Sequence, residues 1–523
     1  MPRPNQTLLG GLTLSQACEL NLNELVLWIP EVISDLPNEV QKMAESIAEE
    51  FMNDARILLD LGLSYISLDR PSNTLSTGEL QRVQLAKTLR NRTTGVLYVL
   101  DEPSIGLHPD NVNGLISVIR KLVEDGNSII LVDHDTKILG IADYMIEMGP
   151  QAGADGGNII AQGSLKEIEH NPASQIAPFL TNSEEIIIRD KSEDIFENGS
   201  INIRTNEIHN VKSMDINIPK GKLTVVSGVS GSGKTTLLLE ALYPAVKAMI
   251  NAEDLPDEIL DIDCEGIKKI DLIDSVPIGK NVRSTVATYS KVLDDLRREF
   301  AKLTDDYKMA DFSYNTGKLR CETCNGTGSV SMDVQFLPDV EITCPECDGL
   351  RYDKKVDEIT YNGLSIADIM ALTIDEALEE LFELDKVTRK LQKLSDLGLG
   401  YLTLGEATPS LSGGEAQRLK LASEIGKSQK NSIFIFDEPT IGLHPLDVKV
   451  LIDVFDHLIS KGATVIVIEH DLDLIANADY IIDIGIDNSN NWGGDILASG
   501  SLNEIVNSKN SLTGKYLVEK GLK

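Results

Sequence analysis

Short apolar runs that end in polar or charged side chains recur along the chain and predict buried strands. KLTVVS at 222–227 leads through a glycine-rich stretch into TLLLEALY at 236–243, which predicts a helix. SIFIFDEP at 432–439 and TVIVIEHD at 464–471 are two more such runs, and both end in acidic residues. Strands followed by loops and helices in this way indicate an α/β fold.

The glycine-rich stretch between the first strand and its helix fits the phosphate-loop pattern G-x-x-x-x-G-K-[ST], a pattern that a mere glycine-rich turn would match less completely. Glycines let backbone N–H groups surround phosphates, and the helix N-terminus favours negative charge. Lys234 is expected to reach the β- and γ-phosphates, and Thr235 to ligate Mg²⁺. The residues predicted to bind ATP in this part of the chain are Gly228, Ser230, Gly231, Ser232, Gly233, Lys234, Thr235, Thr236 and Asp437.

Two strand ends supply the remaining chemistry of a nucleotide site. Asp437 is suited to hold Mg²⁺, directly or through water. Glu438 is placed to orient or deprotonate an attacking water, and His470 to sense or stabilise a γ-phosphate. A single histidine after a strand is more often structural, but the ordered set of motifs favours the functional interpretation.

Most of these motifs occur twice, whereas the phosphate loop occurs once. LSTGELQR at 75–82 matches LSGGEAQR at 411–418, and VLDEPSIGLHP at 99–109 matches IFDEPTIGLHP at 435–445. The offset is 336 for Asp437 minus Asp101, and also for His470 minus His134. A constant offset of this kind indicates a tandem duplication.

The duplication predicts one partial and one whole domain. Upstream, 11–25 pairs with 363–377 at an offset of 352, and only the second copy extends further, through a cysteine module to the phosphate loop. We expect 1–180 to be the C-terminal remnant of a first nucleotide-binding domain. We expect 181–200, which is polar and acidic, to be a linker, and 201–523 to be a complete second domain with a zinc module at about 315–352.

The ordered set of phosphate loop, LSGGE, Asp-Glu and histidine resembles the ABC ATPase superfamily. Signatures of the LSGGE type there face the phosphate loop of another domain and close a composite site. The resemblance implies an ABC-type fold in which Ser76, Gly78 and Glu79 of the first copy close the site of the second. It also implies that Asp101, Glu102, His134 and the LSGGE at 411–415 lack a phosphate loop in this chain.

Composition narrows the class of protein. The chain has 523 residues, 42% hydrophobic, and a net charge of −34, which argues against broad nonspecific adhesion to nucleic acid or anionic lipid but leaves room for a local DNA-binding patch. No apolar run is long enough for a membrane span, and the N-terminus does not have the form of a signal peptide, so a cytoplasmic location is expected.

Four of the six cysteines form the pattern C-x₂-C-x₁₉-C-x₂-C, and this spacing suits a structural Zn²⁺ site. The predicted ligands are Cys321, Cys324, Cys344 and Cys347. The glycines after each CxxC pair allow tight turns that direct amides at sulfur.

The cysteine module and its surroundings resemble a narrower family. YNTGKLRCETCNGTG at 314–328, FLPDVEITCPECDGLRY at 336–352 and DEPTIGLHP are similar to UvrA, the damage-recognition subunit of bacterial nucleotide excision repair. The resemblance implies an ATPase that is not itself a nuclease, with ATP, Mg²⁺ and Zn²⁺ as cofactors. It implies double-stranded DNA as a partner, and a UvrB-like protein whose docking module is absent from this chain. It also implies either a second copy of the chain or a separate polypeptide that carries the N-terminal half.

The segment 280–320 is locally basic and is the candidate DNA face, although a solvated helical face remains the alternative. Its candidate DNA contacts are Lys280, Arg283, Lys318 and Arg320.

The chain also departs from the family pattern. Compared with the family, we expect the N-terminal part that would hold the first phosphate loop, the UvrB-docking module and the insertion domain to be missing from these residues. Ser275 stands where a loop glutamine is expected, which predicts slow or uncoupled hydrolysis. LSTGELQR is similar to shorter UvrA-like paralogues linked to resistance to DNA-binding drugs. Two alternatives to a repair role therefore stay open: a paralogue for drug resistance or regulation, and one subunit of a split protein whose N-terminal half is a separate polypeptide.

Overall fold

The computed structural model describes residues 8–75, 77–90, 94–104, 106–150, 156–181, 189, 191, 194–209, 211–229, 231–274, 278–279, 281–332, 340–424, 429–441, 443, 445–485 and 494–522. Copy one denotes residues 8–180, and copy two denotes residues 200–522. Copy one contains helices α1 (Leu14–Glu19), α2 (Leu22–Ser34), α3 (Asn38–Asp60), α4 (Thr77–Arg90), α5 (Pro109–Glu124), α6 (Thr136–Leu139), α7 (Leu165–Glu169) and α8 (Ala177–Leu180). Its strands are β1 (Leu97–Asp101), β2 (Ser128–Val132), β3 (Met145–Gly149) and β4 (Asn158–Gly163).

Copy two is larger and contains most of the strands. They are β5 (Ser200–Thr205), β6 (Asp215–Pro219), β7 (Leu223–Gly228), β8 (Ile259–Asp263), β9 (Lys269–Ile273), β10 (Ser329–Met332), β11 (Val340–Thr343), β12 (Thr360–Tyr361), β13 (Leu364–Ser365), β14 (Ser432–Asp437), β15 (Thr464–Ile468), β16 (Tyr480–Gly485) and β17 (Asp495–Gly500). Its helices are α9 (Tyr243–Asn251), α10 (Val286–Tyr289), α11 (Val292–Phe300), α12 (Ile366–Ala371), α13 (Ile374–Glu380), α14 (Asp385–Asp396), α15 (Gly413–Glu424), α16 (Pro445–Ser460), α17 (Leu472–Ala476), α18 (Leu502–Asn507) and α19 (Leu512–Glu519). A π-helical segment, Thr236–Leu242, precedes α9.

The duplication is visible in how equivalent helices begin. Asn21 caps α2 and exchanges hydrogen bonds of 2.9 Å with Glu24, so that each side chain satisfies a free N–H of the first turn. Thr373 and Glu376 form the same capping box on α13, with 2.8 Å from the Thr373 N–H to the Glu376 carboxylate. Each residue of the α13 box lies 352 positions after its equivalent in the α2 box, which is the offset of the upstream repeat.

The main sheet of copy two brings the predicted strand ends together. Its order is β17-β16-β7-β15-β14-β9, and β7, β15 and β14 run parallel as neighbours. The carboxyl ends of parallel strands lie at one edge of a sheet, so the residues after Gly228, Asp437 and Ile468 meet there. Ile433 and Ile435 pack into the core on one face, and Phe434 and Phe436 pack into the core on the other.

The equivalent strands of copy one form two separate pairs. β1 and β2 are parallel, and β3 and β4 are antiparallel. In copy two, β7 lies between the equivalents of β2 and β3, but the described part of copy one has no strand there. The apolar side chains left exposed, called the uncovered face below, are Leu97, Val99, Ile130, Val132, Ile146 and Met148.

The described part of the predicted linker is fastened to copy two. Arg189 donates from Nε to the Asn477 carbonyl at 2.7 Å and forms ion pairs with Asp456 and Asp479. Lys191 Nζ donates to the Ala476 carbonyl at 2.7 Å.

The predicted α/β fold is confirmed by this architecture. Among the described residues, no helix combines the length and the apolar composition that a membrane span needs.

Candidate functional site

The phosphate loop follows β7 with backbone angles that favour glycine. Gly231 and Gly233 have φ of +76° and +97°, and Gly228 lies so close to the Ile484 carbonyl that a Cβ there would overlap it. These glycines therefore let the chain turn sharply between the strand and the π-helical segment. Ser230 lies outside the described residues.

The phosphate loop contains a buried cation, Lys234. Lys234 Nζ donates to the Gly228 carbonyl at 2.9 Å and to the Val229 carbonyl at 2.8 Å. Burial lowers the pKa of Lys234 to about 8, and Glu438 and other nearby carboxylates oppose this shift. Ser232 is buried, whereas Thr235 is exposed and immediately precedes the π-helical segment, which begins at Thr236.

Asp437 and Glu438 follow β14 and lie next to the loop. Burial, then Glu438 and Asp274, raise the pKa of Asp437 to about 7, because like charges crowd one edge of the sheet. Burial also raises the pKa of Glu438, whose φ is +47°. The Gln417 amide donates to the Asp437 carbonyl at 2.6 Å and fixes the end of the strand.

His470 lies beside Glu438, with 3.4 Å from Nε2 to Oε1. Burial, Lys234 and Arg82 hold its pKa well below the usual value, so the imidazole is neutral at pH 7. The preceding Glu469 accepts hydrogen bonds from the backbone N–H of His470 at 2.6 Å and of Thr440 at 2.9 Å. Glu469 thus joins the loop after β15 to the loop after β14.

Copy one lies against this edge. A Cβ on Gly231 would overlap the ring of Tyr65, and a Cβ on Gly106 would lie 3.1 Å from the Glu438 carboxylate. Tyr65 Oη donates to Glu79 at 2.5 Å. Glu79 therefore lies near the phosphate loop, as does the start of α4 with Gly78, whereas Ser76 falls outside the described residues.

Sequence reasoning assigned no role to Tyr65, Arg82 or Gly106, although the repeat contained the signal. GLSYISL at 62–68 matches GLGYLTL at 398–404 at the offset of 336, and Tyr401 donates to Glu415 at 2.5 Å just as Tyr65 does to Glu79. In each copy, the matched tyrosine therefore donates a hydrogen bond to the glutamate of the signature motif.

The acidic and histidine residues of copy one keep the local geometry of copy two. His134 Nε2 lies 3.3 Å from Glu102 Oε1, and the φ of Glu102 is +45°. The Gln81 amide donates to the carbonyl of Asp101 at 3.3 Å. The two Glu-His pairs line one cavity of about 540 Å³ between the copies, although no phosphate loop lies beside the first pair in the described chain.

The four predicted zinc ligands form one buried cluster, and all four sulfurs lie within 4.8 Å of one another. The Sγ–Sγ distances are 3.9 Å for Cys321–Cys344 and 3.7 Å for Cys324–Cys347. A tetrahedral Zn²⁺ with Zn–S of about 2.3 Å requires sulfurs about 3.8 Å apart, so the cluster fits the ion. The Gly328 N–H donates to Cys324 Sγ at 3.3 Å, as the glycines after each CxxC pair led us to expect.

Three of the four candidate DNA contacts, Arg283, Lys318 and Arg320, lie near the zinc module. Lys318 is exposed, while Arg283 and Arg320 are half-buried. Arg320 Nη1 donates to the Asn315 carbonyl at 3.3 Å. Lys280 and Ser275, the residue at the expected glutamine position, lie outside the described residues.

Comparison with known proteins finds relatives that match nearly the whole chain. UvrABC system protein A of Staphylococcus aureus (strain COL) is 41% identical over 518 residues, which cover 98% of this chain and 54% of the relative. The protein of the same name from Aquifex aeolicus (strain VF5) is 41% identical over 520 residues, covering 98% of this chain and 56% of that one. No family model matches the chain.

A solved structure of UvrA2 from Deinococcus radiodurans has a TM-score of 0.91 at 35% identity, covering 99% of this chain and 64% of that chain. The chain spans about half the length of the curated relatives it matches. The predicted ABC-type fold and the resemblance to UvrA are confirmed, and the chain is homologous to UvrA over nearly its whole length.

Proposed function

We propose that the chain is an ATPase with one composite nucleotide site formed by its two copies. The observation that carries this proposal is the contact of copy one with the phosphate-loop edge of copy two, through Tyr65 on Gly231 and Gly106 beside Glu438. Homology to UvrA over nearly the whole chain supports the same function.

Each residue of the site has a distinct task in the proposal. Lys234 and the loop amides bind the phosphates, and Thr235 and Asp437 hold Mg²⁺, which neutralises phosphate charge when bound. Glu438 orients the attacking water and accepts its proton. The neutral imidazole of His470 is placed beside that carboxylate, where it can hydrogen-bond to the terminal phosphate.

ATP turnover by purified protein tests this proposal. Lys234→Ala removes the buried cation, so turnover should fall at least about 100-fold. Lys247→Ala, which removes an exposed lysine on α9, is the matched control and should turn over ATP like the wild type. Equal rates in the wild type and Lys234→Ala would contradict the proposal.

We extend the proposal to ATP-dependent binding of distorted duplex DNA. The support is the resemblance to UvrA together with a cysteine module that lies beside Arg283, Lys318 and Arg320. The name of the curated relatives, which refers to a UvrABC system, extends it further to a UvrB-like partner. Size-exclusion chromatography of the mixed proteins would detect that complex.

Fluorescence anisotropy on duplex DNA with and without a bulky lesion, with and without ATP and at one salt concentration, tests the DNA proposal. The double variant Arg283→Ala, Lys318→Ala should bind DNA more weakly. Its affinity should also depend less steeply on salt, because a protein that contacts fewer phosphates releases fewer counterions. The double variant Lys386→Ala, Arg389→Ala on the exposed side of α14 is the charge-matched control. Equal binding to both duplexes would exclude damage recognition.

Zn²⁺ at the cysteine cluster is part of the same proposal. Metal analysis should find one zinc per chain in the wild type and almost none in Cys324→Ser, since the cluster would lose one of its four thiolates. Cys264→Ser, at a buried cysteine outside the cluster, should keep its zinc. Equal zinc in both variants would place the metal elsewhere.

The uncovered face supports a second proposal, that a polypeptide segment from outside residues 1–523 completes copy one. The equivalents of its residues at the offset of 336 are isoleucines buried against the segment after the phosphate loop, including Leu237 and Leu238. A strand, phosphate loop and apolar helix would therefore fill the space between β2 and β3. The LSGGE at 411–415 would then face a second site.

Co-expression with the part of the Staphylococcus aureus relative that this chain does not cover tests the second proposal. That polypeptide should co-purify, and Ile130→Lys should weaken the complex while leaving turnover at the first site unchanged. Lys121→Ala on α5 is the control for a surface change elsewhere in copy one. Failure to co-purify, or equal binding by Ile130→Lys, would contradict the proposal.

A further inference from the structure

Arg82 is a buried cation that the proposed mechanism does not use. It lies on α4 and only 3% of its surface is exposed. Within the described chain, its Nε and Nη1 atoms are buried and have no hydrogen-bond partner. Buried donors are almost always paired, and an unpaired charged group is costly, so these two N–H groups indicate a missing acceptor.

The surroundings of Arg82 place that acceptor at the phosphate loop. Its charged and hydroxyl neighbours are Tyr65, Glu79 and Glu438. Tyr65 packs on Gly231 of the loop, and Glu438 belongs to copy two, so Arg82 lies at the boundary between the copies. The position therefore combines a cation from one copy with the phosphate-binding edge of the other.

The carboxylates nearby already have other partners. Glu79 accepts from Tyr65 at 2.5 Å and forms an ion pair with Arg70 at 3.3 Å. Glu438 lies 3.4 Å from His470. Neither carboxylate forms a hydrogen bond with Arg82 Nε or Nη1, so these donors are available to a ligand.

We propose that Arg82 binds the terminal phosphate of a nucleoside triphosphate held by the phosphate loop of copy two. A guanidinium presents parallel N–H groups that match phosphate oxygens, and it keeps its charge when desolvated. In phosphoryl transfer such a cation stabilises the charge that develops on the transferred group. The site would then recognise a triphosphate only when copy one is in place. This inference rests on the proposed ATPase function.

The matching arginine of copy two provides a control. Arg418 lies at the offset of 336 on α15 and is half-buried, and one of its donors, Nε, is buried without a hydrogen-bond partner, against two donors of Arg82. It follows the LSGGE at 411–415, which faces no phosphate loop in the described chain. If phosphate binding requires the composite site, substitution of Arg82 should weaken ATP binding, whereas substitution of Arg418 should not.

Binding of fluorescently labelled ATP and ADP, measured beside ATP turnover, tests the inference. Arg82→Met should weaken ATP binding roughly 10- to 100-fold, the loss expected for a charged hydrogen bond, and should change ADP binding less than about 2-fold, because ADP lacks the terminal phosphate. Arg82→Lys should fall between Arg82→Met and the wild type, since it keeps the charge but not the paired donors. Arg418→Met should bind both nucleotides like the wild type.

The outcomes separate this inference from the function on which it rests. Equal weakening of ATP and ADP in Arg82→Met and Arg82→Lys would indicate a structural role and overturn the inference. So would unchanged ATP binding in Arg82→Met, or equal losses in Arg418→Met. A wild-type chain that binds and hydrolyses ATP keeps the proposed function in each of these cases, whereas a wild-type chain that binds neither nucleotide overturns both.

Discussion

The two copies carry nearly the same strands in different surroundings. Ile466 of copy two is completely buried, whereas Ile130, its equivalent at the offset of 336, is 51% exposed. Both lie in strands that pair in parallel with the strand that ends in Asp-Glu. The strand pair of copy one therefore forms on the helices of its own copy, but burial of its second face depends on the strand and helix that carry the phosphate loop.

The same contrast applies to chemistry. Glu102–His134 and Glu438–His470 have nearly the same separation, at 3.3 Å and 3.4 Å. Only the second pair is close to Lys234, which helps to keep the His470 imidazole neutral. We therefore expect one duplicated motif to be reactive or inert according to whether a phosphate-loop lysine lies beside it.

Isosteric substitution of the two glutamates should give the largest difference between the copies. Glu438→Gln removes the carboxylate that accepts a proton from water, so ATP turnover should fall roughly 100- to 10,000-fold. Glu102→Gln, with almost the same backbone geometry, should change it less than about 2-fold. Steady-state phosphate release measures both. Similar losses in the two variants would show that both Glu-His pairs take part.

Substitution of the signature serines should have the next largest effect. Ser76→Arg obstructs the face that copy one presents to the phosphate loop, so turnover should fall about as far as in Lys234→Ala, by roughly 100-fold or more. Ser412→Arg should be mild. An equal loss in Ser412→Arg would instead indicate that two copy-two domains pair between chains, which analytical ultracentrifugation of the wild type would reveal as a dimer.

Truncation of equivalent isoleucines should separate the copies in stability. Ile466→Ala leaves a cavity in a packed core, so the free energy of unfolding should fall by about 2–5 kcal/mol. Ile130→Ala should cost less than about 1 kcal/mol, because that side chain is half in solvent. Urea unfolding followed by circular dichroism measures both. A large cost for Ile130→Ala would mean that its face is covered in solution.

The smallest expected difference concerns the glutamines after the two signatures. Gln417→Ala removes a 2.6 Å hydrogen bond to the Asp437 carbonyl and should lower the free energy of unfolding by about 1 kcal/mol. Gln81→Ala removes the longer bond of 3.3 Å to Asp101 and should cost less. Urea unfolding again provides the comparison, and a larger cost for Gln81→Ala would contradict it.

Much of the fold and site follows from the sequence because the repeat and the motifs are local signals. The strand before the phosphate loop, the strands that end in Asp437 and at Ile468, and the cysteine pairs were all predictable from short patterns. The resemblance to ABC ATPases also implied that copy one faces copy two.

The contacts across the copies could not be read from the sequence. Tyr65 on Gly231 and Gly106 beside Glu438 join residues more than a hundred positions apart, and no spacing rule encodes such a meeting. The exposure of Ile130 was equally hidden, since its run of apolar residues predicts a buried strand. Burial is a property of the partner surface as well as of the strand.

The anchoring of Arg189 on copy two sets how far the copies can separate. The last helix of copy one ends at Leu180, nine residues before Arg189. Nine residues of fully extended chain span at most roughly 30 Å. A tether of that length keeps the effective concentration of copy one at the surface of copy two in the millimolar range. If the proposed site opens to exchange nucleotide, it therefore closes again as an intramolecular event, at a rate independent of protein concentration.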